Sequence, residues 1–112
     1  MKVIIAGGRN FIPDEKCFNW LINLLNELKP DETISGCAKG ADTFGELVSE
    51  KLKIPIKKFP ANWKVYGKTA GLIRNEQMAK YADVCILFPG NNGTEDMRNR
   101  AKDHGLEIYE YL

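Results

Sequence analysis

Short apolar runs alternate with segments of helical periodicity along the whole chain, and this alternation constrains the fold more than any other feature. Five runs have the length and the apolar content of strands, at residues 2–6, 32–35, 56–59, 84–88 and 106–111. Between them, apolar side chains recur every three or four positions, which predicts helices over residues 14–29, 41–53, 70–82 and from about 94 onwards. Strands that alternate with helices form parallel sheets, so the chain is predicted to be an α/β protein.

The length of 112 residues suits one domain that spans residues 1–112. We expect a single Rossmann-like three-layer domain, in which a five-stranded parallel sheet of order 3-2-1-4-5 carries helices on both faces. Each helix turns its apolar stripe toward the sheet, and in the second helix the spacing predicts a stripe of Phe44, Leu47, Val48 and Leu52. In such sheets, ligands bind beyond the carboxyl ends of the strands, where the winding reverses between strands 1 and 4.

Six glycines follow the ends of strands 1, 2 and 4, which are neighbours in the predicted order. They are Gly7, Gly8, Gly36, Gly40, Gly90 and Gly93. Glycine lets a ligand approach the main chain closely, and the unpaired amides at a helix N-terminus attract phosphate. Each loop alone is better explained as a tight strand-to-helix turn, but three converging loops favour an anion site. None of the loops has the Walker sequence or the Gly-x-Gly-x-x-Gly dinucleotide fingerprint.

Charge is distributed unevenly, although the formal net charge is only +1. Residues 38–80 contain nine basic and four acidic side chains, which indicates either solvated helix faces or a mildly electropositive site for a small anion. Arg9 and Lys39 lie in glycine loops, where each is a candidate phosphate ligand or a solvated side chain. Asp42 is expected to cap the second helix, with a ribose hydroxyl as the alternative partner. Arg74, near the start of the third helix, is expected to face the anion.

Residues 60–69 form the longest stretch without periodicity and are predicted to be a loop. Its Trp63 and Tyr66 are candidates for stacking on a base, and core filling or a subunit contact explains them equally well.

Several classes of protein and site are excluded or disfavoured. No apolar run approaches the ~20 residues of a membrane span, and the first residues do not resemble a signal peptide, so a cytoplasmic location is expected. The three cysteines, Cys17, Cys37 and Cys85, show no paired spacing, and neither a disulfide framework nor a metal site is expected. His104 is the only histidine; it suits the negative end of the fourth helix better than general-base catalysis.

Four segments together resemble a known group. They are residues 5–11 (IAGGRNF), 35–42 (SGCAKGAD), 73–78 (IRNEQM) and 89–94 (PGNNGT). In combination they are similar to the SLOG superfamily, the Rossmann-like group named for Smf/DprA and the "lonely guy" proteins. The resemblance covers nearly the whole chain and is strongest to the small YspA-related members, which are common in bacteria and phages. It implies a pocket for a nucleotide or a nucleotide-derived ligand, with sensing or processing as the role.

The enzymatic branch of that superfamily removes ribose 5-phosphate from nucleotide cytokinin precursors. It uses a helix arginine, which Arg74 matches, and a glutamate in the motif Pro-Gly-Gly-x-Gly-Thr-x-x-Glu. Met97 occupies the position of that glutamate here and Asn91 that of the second glycine, so the activity does not transfer directly. Glu95 and Asp96 lie nearby and, with Arg74, are the weak candidates for catalysis. The alternative role of the two carboxylates is to favour the helix dipole.

Three functions follow. The leading one is a binding or sensing module for a phosphorylated, nucleotide-derived small molecule, without a cofactor. Its predicted ligand-binding residues are Gly7, Gly8, Arg9, Ser35, Gly36, Lys39, Gly40, Asp42, Arg74, Asn75, Pro89, Gly90, Gly93 and Thr94. The alternatives are an N-glycosidic hydrolase of nucleoside monophosphates and a single-stranded DNA-associated protein, against which the near-zero net charge argues. The resemblance also predicts a homodimer or a higher homo-oligomer.

Overall fold

Five strands and five α-helices make up the computed structural model, which describes residues 1–112. The strands are β1 (Lys2–Ala6), β2 (Glu32–Ser35), β3 (Ile56–Lys58), β4 (Val84–Leu87) and β5 (Glu107–Glu110). The helices are α1 (Glu15–Leu28), α2 (Ala41–Lys51), α3 (Trp63–Tyr66), α4 (Ala70–Tyr81) and α5 (Asn92–Asp103), with a 3-10 turn over Gly67–Thr69. None of these helices combines the length and the apolar character that crossing a membrane requires.

All five strands are parallel and form one sheet in the order β3-β2-β1-β4-β5. The predicted Rossmann-like fold class and strand order are therefore confirmed. The central pair is in register with Val3 beside Val84 and Ala6 beside Leu87, so β1 and β4 end together at one edge of the sheet. The winding reverses at this pair, because β2 and β3 follow β1 on one side and β4 and β5 lie on the other.

Successive side chains of the central strands enter two separate cores, as the pleat of a strand requires. On one face, Val3 and Ile5 pack with Leu21 of α1 and Val48 of α2. On the other face, a second core consists of Ile4, Ala6, Cys85 and Leu87 with Met78 of α4 and Met97 of α5. Helices on both faces of a central sheet give the three-layer arrangement.

The predicted apolar stripe of α2 is wrong at one position, because Leu47 is 61% exposed. Phe44 and Val48 are buried as expected, but Gly45 and Ser49 complete the buried face instead of Leu47. A Cβ on Gly45 would lie 2.7 Å from Cγ2 of Ile5, so the missing side chain lets α2 approach β1 on this side. Leu47 lies two positions after Gly45, or about 200° further around the helix, and therefore points away from the sheet.

The segment predicted as a loop over residues 60–69 contains the short helix α3 and the 3-10 turn. The side chain of Asn62 accepts a hydrogen bond from the amide of Val65 at 3.2 Å, which holds the first turn. Four residues are too few to show a helical period, so the pattern could not predict this helix. α5 also begins at Asn92, two residues before the expected start.

Candidate functional site

A cavity of about 490 Å³ lies at the carboxyl edge of the sheet, beside the ends of β1 and β4. It is enclosed by the loops that follow β1, β2, β3 and β4, and by one face of α4. The lining residues are Ala6, Gly7, Arg9, Asn10, Gly36, Cys37, Ala38, Asp42, Pro60, Ala61, Trp63, Lys68, Gly71, Leu72, Arg74, Asn75, Met78, Asn91, Gly93, Thr94 and Met97. Eight of the predicted ligand-binding residues are among them: Gly7, Arg9, Gly36, Asp42, Arg74, Asn75, Gly93 and Thr94.

Main-chain hydrogen bonds join the loops that enclose the cavity. The amide of Gly8 donates to the carbonyl oxygen of Pro89 at 2.9 Å, which connects the loop after β1 to the loop after β4. The carbonyl oxygen of Gly8 accepts from the amide of Ala41 at 3.1 Å, which connects it to the start of α2. Gly8, Gly40, Pro89 and Gly90 do not line the cavity. Gly8 and Pro89 instead hold together the segments that do.

Arg74 of α4 places its guanidinium in the cavity and reaches across to the loop after β2. Its Nη1 donates to the carbonyl oxygen of Gly36, and its Nε donates to Oδ1 of Asn75 at 3.0 Å. No carboxylate lies within 4 Å of it. Burial lowers the pKa of Arg74, because water solvates the guanidinium less here, and the negative charge of Asp42 opposes that shift. The result is a partly desolvated cation without an ion pair.

Asp42 is a buried carboxyl in the cavity wall. It was expected to cap α2, but the N-cap residue is Gly40 and no side chain caps that end. Asp42 Oδ2 instead accepts a hydrogen bond from the amide of Ala38 at 3.1 Å, which holds the loop after β2. Burial raises the pKa of Asp42, while the Ala38 amide and the charge of Arg74 act in the opposite direction. A Cβ on Gly36 would lie 2.7 Å from Arg74 Nη1 and 2.9 Å from Asp42 Oδ2, so both groups approach the main chain of this glycine.

The start of α5 lies at the cavity, because Asn91, Gly93 and Thr94 line it. Its N-cap residue, Asn91, makes no side-chain capping hydrogen bond. By contrast, Asp14 accepts from the Cys17 amide at 2.8 Å and closes a capping box at the start of α1. Asn75 Nδ2 donates to the carbonyl oxygen of Gly93 at 3.3 Å, which fixes α4 to this turn. Uncapped amides at a helix N-terminus attract negative charge.

The outer rim of the cavity carries two further cations and one indole. Arg9 comes from the loop after β1 and Lys68 from the 3-10 turn, and neither forms an ion pair. Trp63 of α3 is 55% exposed. A Cβ on Gly71 would lie 3.5 Å from Cη2 of Trp63, so the indole extends over the start of α4.

Four polar residues singled out from the sequence lie outside the cavity. The Ser35 hydroxyl donates to Glu46 and accepts from the Cys37 amide, so its role is to hold the loop after β2. Lys39 and Glu95 are exposed. Asp96 accepts hydrogen bonds from Asn75 and Arg100, at 3.0 Å and 2.9 Å. Of the three weak catalytic candidates, Glu95 and Asp96 therefore do not line the cavity, whereas Arg74 does.

The cysteines and the histidine contribute little to the site. Cys17 and Cys85 are buried, and burial raises the pKa of Cys85 to about 12. Cys37 is exposed and lines the cavity, but partial burial and the charge of Glu46 raise its pKa, which disfavours the thiolate. Nε2 of His104 lies 2.8 Å from Glu76 Oε2, away from the cavity.

Some lining residues were not predicted, although the sequence contained a signal for part of them. Gly71 lies three positions before Arg74, Met78 lies three positions after Asn75, and Met97 lies three positions after Thr94. Residues at these spacings share a helix face, so they could have been assigned to the site from Arg74 and Thr94. Pro60, Ala61 and Lys68 follow no period, and only the folded segment brings them to the cavity.

The sequence of the chain is similar to that of a phage protein. No protein-family model matches the chain. The chain is 30% identical to the Gene 61 protein of Mycobacterium phage D29, in an alignment that covers 70% of this chain and 69% of that protein. The chain therefore belongs to the family of the Gene 61 protein.

Proposed function

We propose that the cavity binds a nucleotide, or a phosphorylated small molecule derived from one, and that the protein is a binding or sensing module of the SLOG superfamily. The observation that carries this proposal is the guanidinium of Arg74. It is held in the cavity by a carbonyl oxygen and an amide oxygen, and no carboxylate lies within 4 Å. A guanidinium has five N–H donors, so donors remain for a phosphate.

The charge balance of the cavity supports an anionic ligand. Arg9, Lys68 and Arg74 line it, none of them in an ion pair, and Asp42 is the one lining carboxyl. Burial raises the pKa of Asp42, because it disfavours the charged form of this carboxyl. The uncapped first turn of α5, whose Gly93 and Thr94 line the cavity, adds partial positive charge. A phosphate between α4 and α5 would meet both.

The size and position of the cavity support a small molecule. Its volume of about 490 Å³ lies within the range of typical small-molecule sites. It also lies at the reversal between β1 and β4, where sheets of this type bind their ligands.

SLOG membership is supported by the strand order and by the fact that residues 35–42 and 89–94, which carry the resemblance, both reach the cavity. A cytoplasmic location and self-association stay predictions.

Calorimetric titration with adenosine 5′-monophosphate tests the proposal, with Arg74→Gln as the critical variant. Lys39→Gln is the matched control, because it removes the same charge from a neighbouring loop without altering the cavity lining. A hydrogen bond to a charged group contributes about 1.5–3 kcal/mol, so we expect Arg74→Gln to weaken binding about 10- to 150-fold. Lys39→Gln should change the affinity less than about threefold, as for exposed charges. Circular dichroism confirms that both variants are folded.

Two results would contradict the proposal. One is the absence of saturable binding of adenosine 5′-monophosphate by the folded wild-type protein. The other is an equal effect of the two substitutions, because a general change of net charge would then explain the result.

A second candidate function, N-glycosidic hydrolysis, is favoured by one observation. Asp42 is the lining carboxyl, and burial raises its pKa, as a general acid requires. Water would attack C1′ of the ribose as the bond from C1′ to the base nitrogen breaks. Asp42 would protonate the leaving base, and the attacking water would lose a proton to solvent, from which Asp42 is reprotonated. Chromatography for free adenine after incubation with adenosine 5′-monophosphate tests this. Release that Asp42→Asn abolishes and Glu95→Gln preserves would support hydrolysis, and no release by the wild type would contradict it.

A further inference from the structure

The wall of the cavity formed by residues 60–69 differs from the other walls in its packing. No side chain of this segment is buried, whereas α4 and α5 each contribute several side chains to the core. Segments with little buried apolar surface open at low free-energy cost. The segment nevertheless places Pro60, Ala61, Trp63 and Lys68 on the cavity. The segment therefore adds little to the stability of the fold, although four of its residues line the cavity.

Trp63 is the one aromatic residue that lines the cavity, and packing in the core does not hold it there. Its indole is 55% exposed, and it makes no aromatic pair with another ring. Trp20, by contrast, packs against Phe88 and Tyr111 at centroid distances of 5.6 Å and 5.2 Å. An indole left half in water keeps apolar surface exposed, which a ligand can cover.

Gly71 relates the indole to the anion site. A Cβ on this residue would have two neighbours within 4 Å outside its own helix backbone, namely Trp63 Cη2 at 3.5 Å and Arg74 Nη2 at 3.8 Å. The indole and the free end of the guanidinium thus both lie close to one glycine. A ligand that places a phosphate on Arg74 and a planar ring beside it would contact both groups.

We infer that Trp63 recognises the base of the ligand by stacking, so that the site selects base-bearing phosphates over sugar phosphates. This inference rests on the proposed function, because it requires that the anion binds at Arg74. Stacking needs a planar π-face and no particular hydrogen bond, so Trp63 confers selectivity for a base without specifying which base. Lys68, from the same segment, adds a positive charge to the cavity lining.

The test compares adenosine 5′-monophosphate with ribose 5-phosphate, which lacks the base. Calorimetry measures both ligands with the wild type, Trp63→Ala, Trp63→Phe and Tyr66→Ala. Tyr66 is the matched control, because it lies on the same short helix, is 46% exposed and does not line the cavity. Intrinsic fluorescence gives a second readout, since Trp20 is the other tryptophan and lies in a packed aromatic cluster.

Alanine replacement of a base-stacking aromatic weakens binding about 5- to 150-fold, and we expect this loss for adenosine 5′-monophosphate with Trp63→Ala. Ribose 5-phosphate should bind Trp63→Ala and the wild type within about twofold, since it has no ring to lose. Trp63→Phe should retain most of the affinity, and Tyr66→Ala should retain all of it. The nucleotide should quench wild-type fluorescence and leave that of Trp63→Phe unchanged.

Each failure has a separate signature. If the wild type binds both ligands equally, or if Trp63→Ala and Tyr66→Ala behave alike, the inference is overturned and the anion site stands. If the wild type binds neither ligand, the proposed function fails and the inference fails with it.

Discussion

Replacing Gly40 with alanine should destabilise the protein more than any other glycine-to-alanine change at the carboxyl edge of the sheet. Gly40 precedes α2 and has φ +74° and ψ −119°, a conformation that side chains rarely adopt. A Cβ there would lie 2.3 Å from the carbonyl oxygen of Gly8 and 2.5 Å from that of Arg9. Both neighbours are main-chain atoms of the loop after β1, so neither can move as a flexible side chain would.

The magnitude follows from two contributions. A residue forced into a sparsely populated backbone region costs about 1–3 kcal/mol. Insertion of a methyl group into packed surroundings costs a further ~1–3 kcal/mol. We therefore expect Gly40→Ala to lower the free energy of unfolding by about 2–6 kcal/mol, against a total of about 5–15 kcal/mol for a domain of ordinary stability.

Two control variants separate these contributions in urea denaturation experiments. Gly105 also has a positive φ, +72°, but a Cβ there has no neighbour within 4 Å, so Gly105→Ala should show only the backbone cost of about 1–3 kcal/mol. Gly93 has neither a positive φ nor a neighbour, so Gly93→Ala should change stability by less than about 1 kcal/mol. Equal losses for Gly40→Ala and Gly105→Ala would refute the argument, because the close approach to the loop after β1 would then contribute nothing.

The remaining predictions concern titration and packing. Burial raises the pKa of Asp42 above its ordinary 3.8, so the folded state binds the carboxyl proton more tightly than the unfolded state does. The wild type should therefore lose stability relative to Asp42→Asn as the pH rises above about 4. A difference in stability that does not depend on pH would contradict this. Arg98 lowers the pKa of Glu110, so the stabilisation by this pair is present at neutral pH and is lost as the pH falls below about 4.5. Arg98→Ala should cost up to about 1 kcal/mol at pH 7 and less at pH 3 in urea denaturation. Leu47→Gln should change stability by less than about 0.5 kcal/mol, whereas Leu21→Ala, at a fully buried position, should cost about 2–5 kcal/mol.

Residues on regular elements were the part of the site that could be predicted from the sequence. Arg74 and Asn75 lie on a helix with a clear period, and Gly36 and Gly93 follow recognisable strands, so their common edge followed from the topology. The contacts of Gly8 and Gly40 could not be predicted from the sequence. They were predicted to contact the ligand, but the structure shows them in contact with other loops, since the partner of a loop main-chain atom depends on three-dimensional packing.

The fold class, the strand order and the edge of the sheet where the loops converge could all be predicted from the sequence pattern. These properties follow from the period and length of apolar segments, which are local, and from the handedness of the connections between parallel strands. Which side chains face the cavity depends on the tertiary structure. In the folded chain Gly45 lies against β1 and Leu47 faces solvent, Arg74 has no ion pair, and Trp63 lies beside Gly71. Those outcomes depend on contacts between residues far apart in the chain, and no local pattern encodes them.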